Sequence, residues 1–224
     1  MQRVWIFDLD DTLHNASAHV FQHINRSMTH YLMTHLDMDE QAACELRRHY
    51  WQRYGATLHG LMRHHGTDPH HFLHHTHQFP QLESMVLKTR GLRHALRRLQ
   101  GRKVVFTNAP MIYAEQVLRL LKIRDLFEAV FSIESTRFQP KPARQGFQRL
   151  LRRLGVKVER CVMVEDSLPA LATAKRLGMK TVFVNPGPAK PRYVDVRIGS
   201  VLELPATALT PAFSHLREKG TMCR

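Results

Sequence analysis

The stretch Val4-Trp5-Ile6-Phe7-Asp8-Leu9-Asp10-Asp11-Thr12 decides how this chain folds. Four β-branched or aromatic residues in succession predict a short strand buried on both faces, as in a parallel sheet. The run ends abruptly in acids. Asp8 and Asp10 are two residues apart, so strand geometry puts them on one side. Two such carboxylates repel unless an opposite charge lies near them. Asp11 is out of phase with both and reads as a turn or packing residue. A strand-end turn or helix cap would explain one of these acids, since Asp favours both, but it does not explain the set.

Working outward, the next strong strand signal is Lys103-Val104-Val105-Phe106. Residues 16–88 between the two show apolar residues at three and four spacings, such as Val20, Ile24, Met28, Tyr31 and Leu32, and no convincing strand. Beyond them helices and strands alternate. Helices are predicted at Leu92–Leu99, Ile112–Leu121, Arg144–Leu154 and Leu168–Leu177, and strands at Val104–Phe106, Val130–Ile133, Cys161–Val164 and Thr181–Val184. This pattern predicts an α/β fold: a three-layer, Rossmann-like core on a parallel sheet, with an inserted all-helical cap. The expected division is 1–15 and 89–200 for the core, 16–88 for the cap, and 201–224 as a partly ordered C-terminal segment. The stretch from Asn185 carries Pro186, Pro188 and Pro191 and is read as partly packed.

Bulk properties narrow the class. The chain has 224 residues, 43% hydrophobic and 23% charged, which suits a globular core with a sizeable insertion. No apolar run approaches the ~18 residues of a membrane span, and Arg3 and Asp8 interrupt a secretory leader, so the cytoplasm is the expected location. Cys44, Cys161 and Cys223 lack metal-ligand spacing and are read as free thiols. The formal net charge of +14 favours anionic ligands. Its basic pairs, Arg47-Arg48, Arg97-Arg98 and Arg152-Arg153, fall on predicted helices without interleaved aromatics, so nucleic acid is not the expected partner.

In parallel sheets, ligands bind at the carboxyl ends of strands. Here those ends carry Asp8, Asp10 and Thr12; Thr107 and Asn108; and Glu165 and Asp166, while Lys141 precedes a helix that Pro142 is suited to begin. Acids at two strand ends can share Mg²⁺, which takes one or two carboxylates, waters and a substrate phosphate. A lysine and hydroxyl or N–H donors would balance phosphate charge. A carboxylate pair can divide the roles of nucleophile and general acid.

The four segments Phe7-Asp8-Leu9-Asp10-Asp11-Thr12, Phe106-Thr107-Asn108, Lys141-Pro142 and Val164-Glu165-Asp166-Ser167 resemble, in order, the four motifs of the haloacid dehalogenase-like hydrolase superfamily. The helical insertion is similar to that family's first type of cap. The resemblance implies that Asp8 attacks phosphorus, forming an aspartyl phosphate, and that Asp10 protonates the leaving oxygen and then activates water. It implies that Thr107 and the Asn108 N–H hold phosphate and that Lys141 neutralises charge. Mg²⁺ would be bound by Asp8, Asp166 and the Asp10 carbonyl, with Glu165 as a further ligand or outer contact. An acid at position 10 favours ester hydrolysis over dehalogenation, because halide leaves without a proton.

The segment Tyr54-Gly55-Ala56-Thr57-Leu58-His59-Gly60-Leu61, with Thr67-Asp68-Pro69, resembles the cap of the superfamily's pyrimidine 5'-nucleotidases. It departs from that subgroup at Ala56, at His14-Asn15 and at Pro169-Ala170. The resemblance implies a monophosphate nucleotidase of nucleotide metabolism, a monomer or dimer, with Tyr54, Trp51 and His14 as specificity candidates. The alternatives are a phosphatase of another small ester, such as a sugar or flavin phosphate, and a non-catalytic basic protein binding nucleic acid. Eight of the 16 histidines lie between His59 and His77, with pairs four apart at His70/His74 and His71/His75. Such pairs suit zinc or nickel on a helix, but with no acid or thiolate interleaved they are read as a solvent-exposed face.

Overall fold

The computed structural model describes residues 3–188 and 190–207. The opening run forms β1 (Val4–Phe7), and all four of its residues are completely buried. It is flanked by β2 (Arg102–Phe106) and β4 (Cys161–Glu165) in a parallel sheet of order β3-β2-β1-β4-β5-β6, with β3 at Ala129–Phe131, β5 at Lys180–Val184 and β6 at Val196–Ile198.

Period-two alternation divides the sheet's side chains between two layers of helices. Trp5, Phe7, Val105 and Val164 face one core, which includes α6 (Leu92–Arg98) and α7 (Met111–Leu120). Val4, Ile6, Val104 and Met163 face the other, with α8 (Arg144–Leu154) and α9 (Leu168–Arg176). The expected three-layer α/β fold is thus the observed one. The sixth strand was not expected. It forms in the proline-containing stretch because Val194 and Ile198 have apolar surface to bury against the sheet, and Val196 pairs with Val182. Of the C-terminal segment, residues 201–207 include α10 (Leu204–Thr207), and residues 208–224 lie outside the described residues.

Between β1 and β2 stand α1 (Val20–Leu36), α2 (Glu40–Tyr54), α3 (Thr57–His65), α4 (Pro69–Thr76) and α5 (Leu82–Met85). Local chemistry sets their limits. Asp39 and Asp68 cap α2 and α4 by accepting from the backbone N–H groups of Ala42 and His70. Pro69 opens α4, and Gly55 and Gly66 end α2 and α3 in the left-handed conformation. Tyr31, Leu32, Tyr50, Leu58, Leu61 and Phe72 form a third apolar cluster, which Ile133 joins from the segment after β3. Among the described residues no helix is long and apolar enough to cross a membrane.

Candidate active site

Strand register brings the acids together. Phe7 pairs with Val164 on one side and Val105 on the other, and the Asp8 N–H donates to the Val164 carbonyl at 2.9 Å. Asp8 therefore emerges between Glu165 on one side and the Phe106-Thr107 end of β2 on the other. Lys141 comes from a loop before α8, and its Nζ lies 2.6 Å from both Asp8 Oδ1 and Glu165 Oε2. All three side chains are buried. Lys141 Nζ also sits 5.3 Å from the centre of the Phe106 ring.

Asn108 fixes the Lys141 loop. Its Nδ2 donates to the Lys141 carbonyl at 3.0 Å and its Oδ1 accepts from the Lys141 N–H at 2.8 Å. The Thr107 hydroxyl accepts from the Ala109 N–H at 3.0 Å, which leaves its own proton to donate elsewhere. A glycine closes the other side of the loop. Gly55 has φ +80°, and a Cβ there would lie 2.7 Å from the Lys141 carbonyl oxygen and 2.8 Å from Pro142 Cδ. Only a residue without a side chain allows α2 to end against the backbone that carries the lysine.

Carboxylate oxygens of Asp8, Glu165 and Asp166 lie within 4.8 Å of one another. Three carboxylates facing one ammonium form an all-oxygen, electron-rich set that fits a hard divalent cation such as Mg²⁺. Glu165 is already engaged: its Oε1 accepts from the N–H groups of Asp166 and Ser167, both at 3.1 Å, and its Oε2 from Lys141. Thr12 Oγ1 is 3.5 Å from Asp166 Oδ1.

The cost of this crowding shows in the titration of the group. Burial, then the Glu165 charge, pushes the Asp8 carboxyl up to about 7 against the pull of Lys141. Burial likewise raises Glu165 to about 7 and Asp166 to about 6. For Lys141, burial favours the neutral amine, but Asp8 and Glu165 outweigh it and hold the ammonium well above its ordinary range.

Asp10 is treated differently. Its carboxylate lies outside the three-acid group, with Tyr113 OH donating to its Oδ1 at 2.6 Å and His14 Nε2 at 2.9 Å from the same oxygen. His14 is buried, and among the described residues its Nδ1 has no hydrogen-bond partner, so its contact to Asp10 is made through Nε2, as the donor to the carboxylate oxygen. Burial and the Asp10 charge keep the Tyr113 phenol far above its usual range, so it remains a donor. Asp11 accepts from the Ser17 N–H at 2.8 Å and from the Ser17 hydroxyl, the turn role its phase suggested.

The structure thus brings Asp8, Glu165, Asp166 and Lys141 into one cluster and Asp10 and His14 into an adjoining one. Tyr113 had no motif to mark it; its only signal was a position on the helix just beyond the Thr107-Asn108 strand end. The segment after α4 covers it, with Phe79 at 5.1 Å and His77 at 6.3 Å between ring centres. Desolvation lowers the half-buried His77 imidazole to about 4. The cap candidates lie apart from that segment. Tyr54 packs against Tyr50 and His59 with its hydroxyl 2.6 Å from His64 Nε2, and Trp51 is 62% exposed.

The model of the haloacid dehalogenase-like hydrolase family matches residues 3–178, and the chain belongs to that family of hydrolases. It is 34% identical over 137 residues to hexitol phosphatase B of Escherichia coli strain K12, a match covering 56% of this chain and 61% of the relative's length. In fold it is similar to a HAD phosphatase from Thermococcus onnurineus, with TM-score 0.63, 22% identity, and 91% and 96% of the two chains covered. It is also similar to the magnesium-bound HAD hydrolase YfnB of Bacillus subtilis, with TM-score 0.60, 18% identity, and 93% and 99% covered.

Proposed function

We propose that the chain is a magnesium-dependent phosphomonoesterase acting through an aspartyl phosphate on Asp8, with a pyrimidine nucleoside 5'-monophosphate as substrate. The observation that carries this reading is the unlike setting of the two acids after β1. Asp8 is ion-paired with Lys141 in a buried site, and Asp10 takes both its donors on Oδ1. Oδ2 of Asp10 is then the oxygen that can hold and pass a proton.

In the first step an Asp8 oxygen attacks phosphorus, the ester P–O bond breaks, and the Asp10 proton passes to the leaving alkoxide. In the second, Asp10 takes a proton from water as the water oxygen attacks phosphorus, and the P–O bond to Asp8 breaks to release phosphate. Lys141 offsets charge on Asp8 and the phosphoryl group, the Thr107 hydroxyl and the Asn108 N–H donate to phosphate oxygens, and the Asn108 side chain keeps the lysine loop in place. Asp8 and Asp166, with the Asp10 carbonyl, would hold Mg²⁺, and Glu165 positions Lys141. Bound Mg²⁺ supplies the positive charge that keeps these carboxylates ionised and balances the phosphoryl oxygens.

The helices of residues 16–88 act as a cap over this site. Gly55 against the Lys141 carbonyl, His59 Nδ1 at 3.3 Å from the Phe138 carbonyl, and Phe79 against Tyr113 support that role. Trp51, exposed one turn before Gly55, offers an aromatic face for a base. A second reading, a polyol or sugar phosphate as substrate, is favoured by the 34% identity to hexitol phosphatase B.

A panel of UMP, CMP, purine monophosphates, hexitol phosphates and flavin mononucleotide, assayed for phosphate release with and without Mg²⁺, separates these readings. Release should require Mg²⁺, disappear in Asp8→Asn, and be fastest with UMP or CMP, with Trp51→Ala raising KM for those two alone. Release that survives Asp8→Asn would overturn the mechanism, and preference for hexitol phosphates would overturn the substrate.

A further inference from the structure

We propose that His35, His71 and His75 form a second metal site, for a zinc-type transition-metal dication, on the outer surface of the helical segment. The sequence shows only the pair four apart on α4. The fold adds the third member from α1, 36 residues earlier in the chain than His71. Ligand nitrogens of the three imidazoles lie within 4.8 Å of one another, and all three residues are exposed. Ring centres are 4.4 Å apart for His71 and His75, 5.0 Å for His35 and His71, and 5.6 Å for His35 and His75.

A tetrahedral zinc site with bonds near 2.0–2.1 Å needs nitrogens about 3.4 Å apart. Exposed imidazoles on two facing helices reach that spacing by small rotations about their side-chain bonds. Three neutral imidazoles suit zinc, nickel or copper and not the oxygen-seeking Mg²⁺. The chemistry is therefore separate from that of the acid cluster.

A fourth side chain orients the set. Tyr31 lies one turn before His35, with ring centres 4.3 Å apart, and its hydroxyl is 2.8 Å from His71 Nδ1. An Nδ1–H donated to that oxygen leaves Nε2 of His71 as the metal ligand, the arrangement that ligating histidines usually show. With three protein ligands, the fourth position is open to water. Bound metal would join the C-terminal end of α1 to α4. The opposite end of α1 already meets the chain just beyond α4, where His23 Nε2 lies 2.7 Å from the Gln78 carbonyl.

The test uses the tag-free full chain, titrated with Zn²⁺ against a chromophoric chelator in excess Mg²⁺. The expected result is one strong equivalent per chain. His35→Gln, His71→Gln and His75→Gln should each weaken it by tenfold or more, and Tyr31→Phe should weaken it by about tenfold. His49→Gln, His94→Gln and Asp8→Asn should leave it unchanged. Zn²⁺ should also raise the Tm of the parent protein and not that of His35→Gln. Co²⁺ bound to the parent should give the intense visible absorption of a four-coordinate ion. Equal losses across all the histidine variants would mean diffuse surface binding and overturn the site. Loss in Asp8→Asn alone would place the zinc at the acid cluster and overturn it equally.

Discussion

Tyr113→Phe removes one oxygen atom and tests how Asp10 is kept ready. The ring is 1% exposed and packs against Phe79, so phenylalanine preserves the packing while deleting the 2.6 Å hydrogen bond to Asp10 Oδ1. Hydrogen bonds to charged groups contribute about 1.5–3 kcal/mol. If that contribution is felt where Asp10 exchanges its proton, 1.36 kcal/mol per tenfold predicts a kcat lower by about 10- to 150-fold on an alkyl phosphate. His14 still holds the same oxygen at 2.9 Å, so the loss should stay below that of Asp10→Asn. The leaving group offers an internal control. p-Nitrophenolate leaves without a proton, so a rapid-mixing burst of nitrophenol should persist while steady turnover slows, because on the proposed mechanism water activation still depends on Asp10. The phenol stays protonated far beyond neutral pH, so the defect should not vary across the working range. A kcat within threefold of the parent on the alkyl ester would refute the reasoning. So would a Tyr113→Phe penalty that persists in full on an Asp10→Asn background, since residues acting through one group do not add.

Gly55→Ala places a Cβ 2.7 Å from the Lys141 carbonyl at a φ of +80°; overpacking of this kind costs about 1–3 kcal/mol, and urea unfolding should show that loss together with reduced turnover. Lys141→Met leaves Asp8 and Glu165 buried without their shared cation, a change that typically destabilises by about 3–5 kcal/mol, and the loss of Tm should shrink as pH falls through about 7 and the acids protonate. Without a divalent cation, Asp8 and Glu165 at about 7 and Asp166 at about 6 lie above the ordinary carboxyl values. Their contribution to stability is present below those ordinary values and is lost as pH rises through the raised ones. Mg²⁺ competes with those protons, so the rise in Tm that it produces should grow between pH 5 and 8, and a Mg²⁺ shift independent of pH would contradict the ligand set.

What the sequence revealed and what it hid follow from the range of the interactions. β1 was legible because burial on both faces leaves an unbroken apolar run, and the acids after it stood out because nothing local explains them. Asp8, Lys141 and Glu165 could be grouped because each ends or follows an element that a parallel sheet gathers at one edge. Tyr113 could not: it meets Asp10 across 103 residues, and a tyrosine in the first turn of an amphipathic helix looks like any other core residue. His35 was hidden for the same reason, since the pairing of α1 with α4 rests on Tyr31 and Phe72 packing and leaves no periodic mark. Gly55 stood in the sequence only as part of the Tyr54–Leu61 segment; it ends α2, and that its missing side chain also admits the Lys141 backbone rests on a contact 86 residues apart, which leaves no local mark. β6 escaped because three residues at a sheet edge give too short an alternation to separate from a proline-containing loop.

The charges within and around the site point in opposite directions, and that opposition bears on the proposed cation. The whole chain carries a formal +14, a field that draws phosphate esters toward it. At the centre the sign reverses: three carboxylates stand against the single Lys141 ammonium, so a phosphate dianion arriving there would meet net negative charge. Such repulsion in a buried site is far less screened than at the surface. Protonating two of the acids would remove it, but a protonated Asp8 is no nucleophile. A divalent cation removes it while leaving Asp8 ionised. On the proposed mechanism, therefore, the cation is needed for the phosphate to approach at all, before any bond is made. The long-range field sets how often substrate arrives, and the acid cluster sets whether it can stay.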